Sequence, residues 1–276
     1  MLLRDGAPAG IFIIKNLNPG RRIESPPCLT GLHHWSPNCI LNYIHKILLK
    51  PFQRFFYCSE FTIHMSSLIQ RIDKIIEDQS LLKHKFYVMW NEGKLSMESL
   101  SGYSKEYFQL VKAVPSFVEQ VRKNSPPEIQ DKIALNRDEE SEHIEPWIKF
   151  ANALGISQDK LRNYAGLDKT KHAISNLSCL MDSFENGAAA MYALEQEIPK
   201  ISLSKIDGLR KFYNLADDEA IEYFRLHAEA DIRHAALWRK ILEKTPTSKE
   251  DQLVEVASQS LVAQNQLLDS CYDAYC

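Results

Sequence analysis

Cysteine is scarce and scattered in this chain. Six occur in 276 residues, at positions 28, 39, 58, 179, 271 and 276, and no two form a Cys-x-x-Cys pair. That usage excludes a structural zinc finger and a dense disulfide framework, and it suits reduced thiols in a cytoplasm. Long apolar runs are also missing. Stretches such as Ile11 to Ile14 and Ile47 to Leu49 fall far short of the roughly 18 to 20 residues that a membrane span needs. Charge imbalance is a third absence: 33 basic and 36 acidic side chains leave a formal charge of -3, which advertises neither a nucleic-acid surface nor a strongly acidic one. No Gly-rich phosphate loop, no internal repeat and no sustained strand-like alternation is found.

What is present is a chain that is 45% hydrophobic and 25% charged, enough to bury a substantial core. Residues 1 to 64 are of a different kind. They hold six of the twelve prolines and four of the ten glycines, with seven Lys and Arg against three Asp and Glu. Their apolar residues keep neither a helical nor a strand period for long. They are expected to form a poorly ordered extension outside the folded unit, with Met65 as an alternative start. The competing reading is a basic, acid-poor organelle transit peptide, whereas the order of a signal peptide is lacking.

From Met65 to residue 276 almost everything reads as helix. Leu68, Ile69, Ile72, Ile75 and Ile76 recur at three- and four-residue steps, the stripe of a helix that buries one face. A short helix stops at Gly93. Leu100, Tyr103, Tyr107, Leu110 and Val114 repeat the pattern up to Pro115. Further segments run from Pro127 to Leu154 with a break expected at Pro146, from Ile174 to Glu195 as one long helix closed by Pro199, from Asp217 to Ile241, and from Leu253 to Leu268. The expectation is an all-α bundle of about seven or eight helices.

Within it, His227, Asp231 and His234 of HAEADIRHA advance by about 100° per residue, so their side chains share one helix face. Two imidazoles and a carboxylate there make a half-site for a transition metal. In RDEESEHIEPW, Glu139 lies four residues before His143 and Glu140 three; either can reach the same centre as that imidazole. Glu195 falls on or beside the apolar stripe of Phe184, Ala188 and Met191, where a carboxylate is expensive unless paired or metal-bound. The set Glu139 (or Glu140), His143, Glu195, His227, Asp231 and His234 suffices for two divalent ions with positions left open. Mixed oxygen and nitrogen ligands without thiolate suit iron or manganese.

These residues carry a resemblance. HKFYVMWNEGKL, SKEYF, KAVPSF, GAAAMYALEQEIPKI and YFRLHAEADIRHA resemble the family typified by the chlamydial protein associating with death domains, within the heme-oxygenase-like dimetal oxidases. The likeness spans roughly residues 65 to 245 and implies a heme-oxygenase-like fold. It also implies two redox metals (Fe/Fe or Mn/Fe) at Glu195, His227, Asp231 and His234, dioxygen as co-substrate and an external reductant. The Glu-to-His segment departs from the family pattern by about one helical turn, so His143 carries over more directly than Glu139, and Glu140 is the other choice.

The implied activity is synthesis of para-aminobenzoate for folate by oxidative excision of one of the protein's own tyrosine side chains. By the same resemblance Tyr87 is the sacrificed residue, Tyr103 a second redox tyrosine and Lys205 the nitrogen source. Three alternatives stand beside it. One is a related oxidase acting on an external amino acid or fatty acid. The second is a thiaminase-like hydrolase of the TenA type, which needs a cysteine nucleophile such as Cys179. The third is a binding module for death-domain proteins. A homodimer is a separate expectation for the chain. Neither nucleic acid nor membrane is expected as a partner.

Overall fold

A computed structural model of the chain describes residues 67–276. The extension expected over residues 1–64, together with Met65, lies outside the described residues. Helix α1 (Leu68–Asp78) opens on Ser67, whose side chain caps Gln70 N while the Gln70 side chain bonds back to Ser67, and it buries Leu68, Ile69, Ile72 and Ile76. Helix α2 (Lys85–Asn91) buries Phe86, Tyr87 and Trp90 and is followed by Gly93 at φ 67°, a conformation that a side chain disfavours. Helix α3 (Met97–Lys123) carries the stripe of Leu100, Tyr103, Tyr107, Leu110 and Val114.

That helix does not stop where the sequence suggests, because Pro115 lies inside it. A proline there forfeits a hydrogen bond and costs about 3 kcal/mol. Phe117, Val118 and Val121, all buried one and two turns further on, each contribute about 1.5–3 kcal/mol by leaving water. Burial wins, and the helix continues.

The expected long segment after Pro127 breaks at His143 rather than at Pro146, giving α4 (Pro127–Glu142) and α5 (Ile144–Ala153). Pro146 occupies the first turn of α5, where a missing N–H leaves nothing unpaired. The segment expected to run from Ile174 to Glu195 is likewise two helices. After the short α6 (Gln158–Arg162) come α7 (Asp168–Cys179) and α8 (Phe184–Glu195). Ser183 adopts an extended backbone and caps Asn186 N, which restarts the helix. Helix α9 (Ile198–Phe212) buries Ser202, Lys205 and Gly208 beside Ile201 and Leu209. Helices α10 (Asp218–Leu242) and α11 (Glu250–Tyr275) complete the chain.

Eleven α-helices and two short 3-10 turns, with no strand among the described residues, thus replace the expected seven or eight helices; the class is all-α as expected. Helix α10 packs against α9, α8 and α5, while α11 packs against α8, α7 and α3, and α3 also covers α4. None of the described helices is long and apolar enough to cross a membrane. Trp90, Trp147, Trp238, Tyr87 and Tyr103 are among the largest fully buried side chains, and they all lie close to the chemistry described next.

Candidate metal centre

The steps of four and three residues along α10 put His227, Asp231 and His234 on its buried face. The Nδ1 atom of His227 lies 2.9 Å from the Tyr223 carbonyl one turn earlier, which turns Nε2 towards α4. There Glu140 Oε2 stands 3.8 Å from His227 Nε2 and 3.6 Å from His143 Nδ1, and Glu140 Oε1 stands 3.0 Å from His234 Nδ1. Glu195, the last residue of α8, is only 4% exposed. Its Oε2 accepts a 2.6 Å hydrogen bond from Trp238 Nε1.

Two groups of three potential ligands result, Glu140 with His143 and His227, and Glu140 with Glu195 and His234. In each, the candidate donor atoms lie within 4.8 Å of one another. Glu140 belongs to both. Asp231 stands beside them, with Oδ1 3.4 Å from His234 Nδ1. Glu139 takes a different place: one of its oxygens receives Arg233 at 2.8 Å and lies 2.7 Å from His234 Nε2, on the outer rim of the cluster.

The residues fit a metal centre by their unmet bonding. His143 Nδ1, His234 Nδ1, Glu195 Oε1 and both carboxylate oxygens of Asp231 are buried without a hydrogen-bond partner. A single such group costs about 1–3 kcal/mol, and cations held at the cluster would satisfy these atoms. The electrostatics agree. Burial works against a charge on Glu140, but His143, His227 and His234 around it hold the carboxyl well below the ordinary range. Burial pushes Glu195 well above that range and raises Asp231 as well. His234 is disfavoured as a cation by burial, yet Asp231 and Glu140 push it up to about 11.

Beyond the cluster, the ring of Tyr223 stacks on His227 with centroids 3.9 Å apart, and Trp147 meets Tyr223 at 4.6 Å and Tyr107 at 5.0 Å. Tyr103 follows Tyr107 at 5.1 Å. The hydroxyls of Tyr103 and Tyr87 are hydrogen-bonded at 3.2 Å, and Lys205 Nζ donates to Tyr103 Oη at 2.5 Å. The Lys205 amine lies 4.5 Å from the Tyr87 ring centre and 4.9 Å from that of Tyr107. Burial holds its pKa well below the ordinary lysine value. Tyr87, Tyr103 and Lys205, far apart in sequence, are therefore in contact.

Tyr107, Trp147, Tyr223 and Trp238 belong to this site and were not singled out from the sequence. Trp238 had a readable signal, since it follows His234 by one helical turn and a buried indole N–H needs an acceptor. Cys179, the candidate nucleophile of the hydrolase alternative, is exposed at the end of α7.

Residues 121–265 match the model of a family described as iron-containing redox enzymes. A 4-aminobenzoate synthase of Nitrosomonas europaea is 32% identical over 225 residues, which cover 75% of this chain and 92% of that protein. A 4-aminobenzoate synthase of Chlamydia trachomatis is 30% identical over 214 residues, covering 75% and 93%. The crystal structure of a TenA homologue from Pseudomonas syringae pv. tomato superposes with a TM-score of 0.65 at 14% identity, over 75% of this chain and 93% of its own, which shows a shared fold. The chain therefore belongs to the family of iron-containing redox enzymes that includes the 4-aminobenzoate synthases, on the heme-oxygenase-like helical scaffold.

Proposed function

We propose that this chain is a cytoplasmic, oxygen-dependent dimetal oxidase that makes 4-aminobenzoate from its own Tyr87, with Lys205 supplying the nitrogen and an external reductant supplying electrons. The observation that carries this reading is the contact of Lys205, Tyr103 and Tyr87 among packed aromatic rings, with Lys205 lining the same cavity as Glu195, His227 and Asp231. Glu140, His143, Glu195, His227, Asp231 and His234 would hold two redox metal ions, iron with iron or manganese with iron, which supply dioxygen activation and electron uptake.

The chain's own groups are suited to the remaining chemistry. An amine donates nitrogen only when unprotonated, and the apolar surroundings of Lys205 keep it so. Burial holds the phenols of Tyr87 and Tyr103 well above the usual tyrosine pKa, so each yields an electron most readily together with its proton. Lys205 Nζ lies 2.5 Å from Tyr103 Oη; uncharged, it has a lone pair and is the base within reach of the Tyr103 proton once that hydroxyl turns towards it. Trp90 Nε1 bonds to the Lys205 carbonyl at 3.2 Å and fixes the backbone that presents this amine.

The cavity between the cluster and Lys205 has a volume of about 30 Å³, room for about two water molecules. A diatomic gas fits there, whereas an amino acid or a fatty acid would need the walls to move apart. This favours an internal substrate over an external one. The hydrolase alternative loses its nucleophile, because Cys179 does not line this cavity.

Mass spectrometry of protein incubated with iron or manganese, reductant and oxygen tests the assignment. Loss of the Tyr87 side chain in step with 4-aminobenzoate release is expected, and an intact Tyr87 beside released product would overturn it. Tyr87→Phe should abolish product formation while leaving metal content unchanged, whereas an oxidase acting on an external substrate would tolerate that change and fail only with His227→Ala.

A further inference from the structure

The buried cluster has two unlike sides. Towards Lys205 lies the narrow cavity, walled in part by Leu110, Val111, Val114 and Ile201. On the other side a surface cleft of about 500 Å³ is lined by Glu139, Glu142, Glu145, Glu222 and Glu229. Five carboxylates there face two cations, Lys149 and Arg233. Lys149 pairs with Glu222 at 2.8 Å and Arg233 with Glu139 at 2.8 Å, while Glu142 and Glu229 have no ion-pair partner among the described residues.

The floor of the cleft joins it to the centre. His143 lines it, is only 6% exposed and has a buried Nδ1 without a hydrogen-bond partner. The same imidazole stands in one of the ligand groups with Glu140 and His227. Glu139 spans the boundary too, because the oxygen that receives Arg233 is 2.7 Å from His234 Nε2.

We propose that this acidic cleft is the loading route by which hydrated divalent cations reach the buried centre, entering past Glu142 and Glu229 and passing His143 and Glu139. The proposal rests on the metal-centre reading above. Beyond the ligand cluster itself, the cavity on the Lys205 side is lined mainly by aliphatic and aromatic groups such as Leu110, Val111, Ile201 and Phe224, where an ion sheds its water only at a large penalty, so it is the poorer entrance. Carboxylates ahead of the site offer replacement oxygen ligands and focus the field on the opening, which raises local cation concentration and association rate. The Arg233 pair with Glu139 acts against this, since it occupies the carboxylate nearest the centre.

Stopped-flow absorbance of Co(II) added to the full-length chain, freed of metal by chelation, tests the route. In Glu142→Gln, Glu145→Gln and Glu229→Gln combined, the association rate should fall roughly tenfold at low ionic strength. The deficit should close at about 0.5 M salt, with the final number of ions per chain unchanged. Arg233→Gln should load faster than the parent chain. Equal rates at low salt for parent and triple variant, or a deficit that salt does not relieve, overturn the route while leaving the centre intact. A parent chain that takes up no Co(II) overturns the metal centre and, with it, the route.

Discussion

Lys205 is a residue whose ordinary charge is suppressed by its surroundings, and that has a cost in stability. Its pKa in the folded chain lies well below the ordinary 10.5 through burial. Between those two values the unfolded chain binds a proton that the folded one does not, so stability rises as pH increases towards about 10.5. Lys205→Met should therefore be more stable than the parent near neutral pH, by about 1–3 kcal/mol. The gain should shrink as pH rises, as read by urea unfolding at a series of pH values. Trp238 acts on Glu195 from outside the ligand set. Trp238→Phe removes the 2.6 Å bond to Glu195 Oε2 and should weaken metal binding about 10- to 100-fold in chelator competition.

Legibility in the sequence followed the same residues. His227, Asp231 and His234 could be read because three positions on one helix define their own face. Glu139 and Glu140 could not be separated, since a step of four residues and a step of three both bring a side chain onto the face of His143. Tyr87, Tyr103 and Lys205 came from family likeness alone, as their contacts span α2, α3 and α9.

At the scale of elements, the apolar period located most helices and misjudged their ends. Pro115 was read as a terminus because the local rule against proline is strong, while the downstream burial that overrides it is tertiary. Pro115→Ala in α3 should raise stability by about 1–3 kcal/mol in denaturant titration, with no change in metal content. Helix α9 stayed hidden for the opposite reason. Its inner face interleaves Ser202, Lys205 and Gly208 with Ile201 and Leu209, and the space above Gly208 belongs to Trp90, whose ring would lie 2.7 Å from an added Cβ. A face shaped for function does not announce itself as a hydrophobic stripe.

Considered whole, the bundle places its polar cluster between an acidic opening and an aliphatic interior, with α4, α5, α8 and α10 each contributing to the wall. Binding of metal should stabilise the entire fold, since the unfolded chain has no preformed site; about 2.7 kcal/mol is expected at a hundredfold excess over Kd. Imidazoles and carboxyls must release protons to become ligands. With His234 pushed up to about 11 and Glu195 favouring its neutral form, affinity should fall as pH is lowered. Calorimetric titration in buffers of different ionisation enthalpy would show that proton release directly.

Tyr87 is 2% exposed and packs in the middle of the core. A chain that has surrendered this ring carries a hole where an aromatic group had filled space, and losses of that kind cost about 3–5 kcal/mol out of a typical total of about 5–15 kcal/mol. If Tyr87 is the substrate as proposed, each molecule would age by reacting. Spent chains should melt on the order of 10 °C below fresh ones in a thermal scan and be cut sooner by proteases, so that the reaction itself labels used protein for removal and returns its amino acids to the cell.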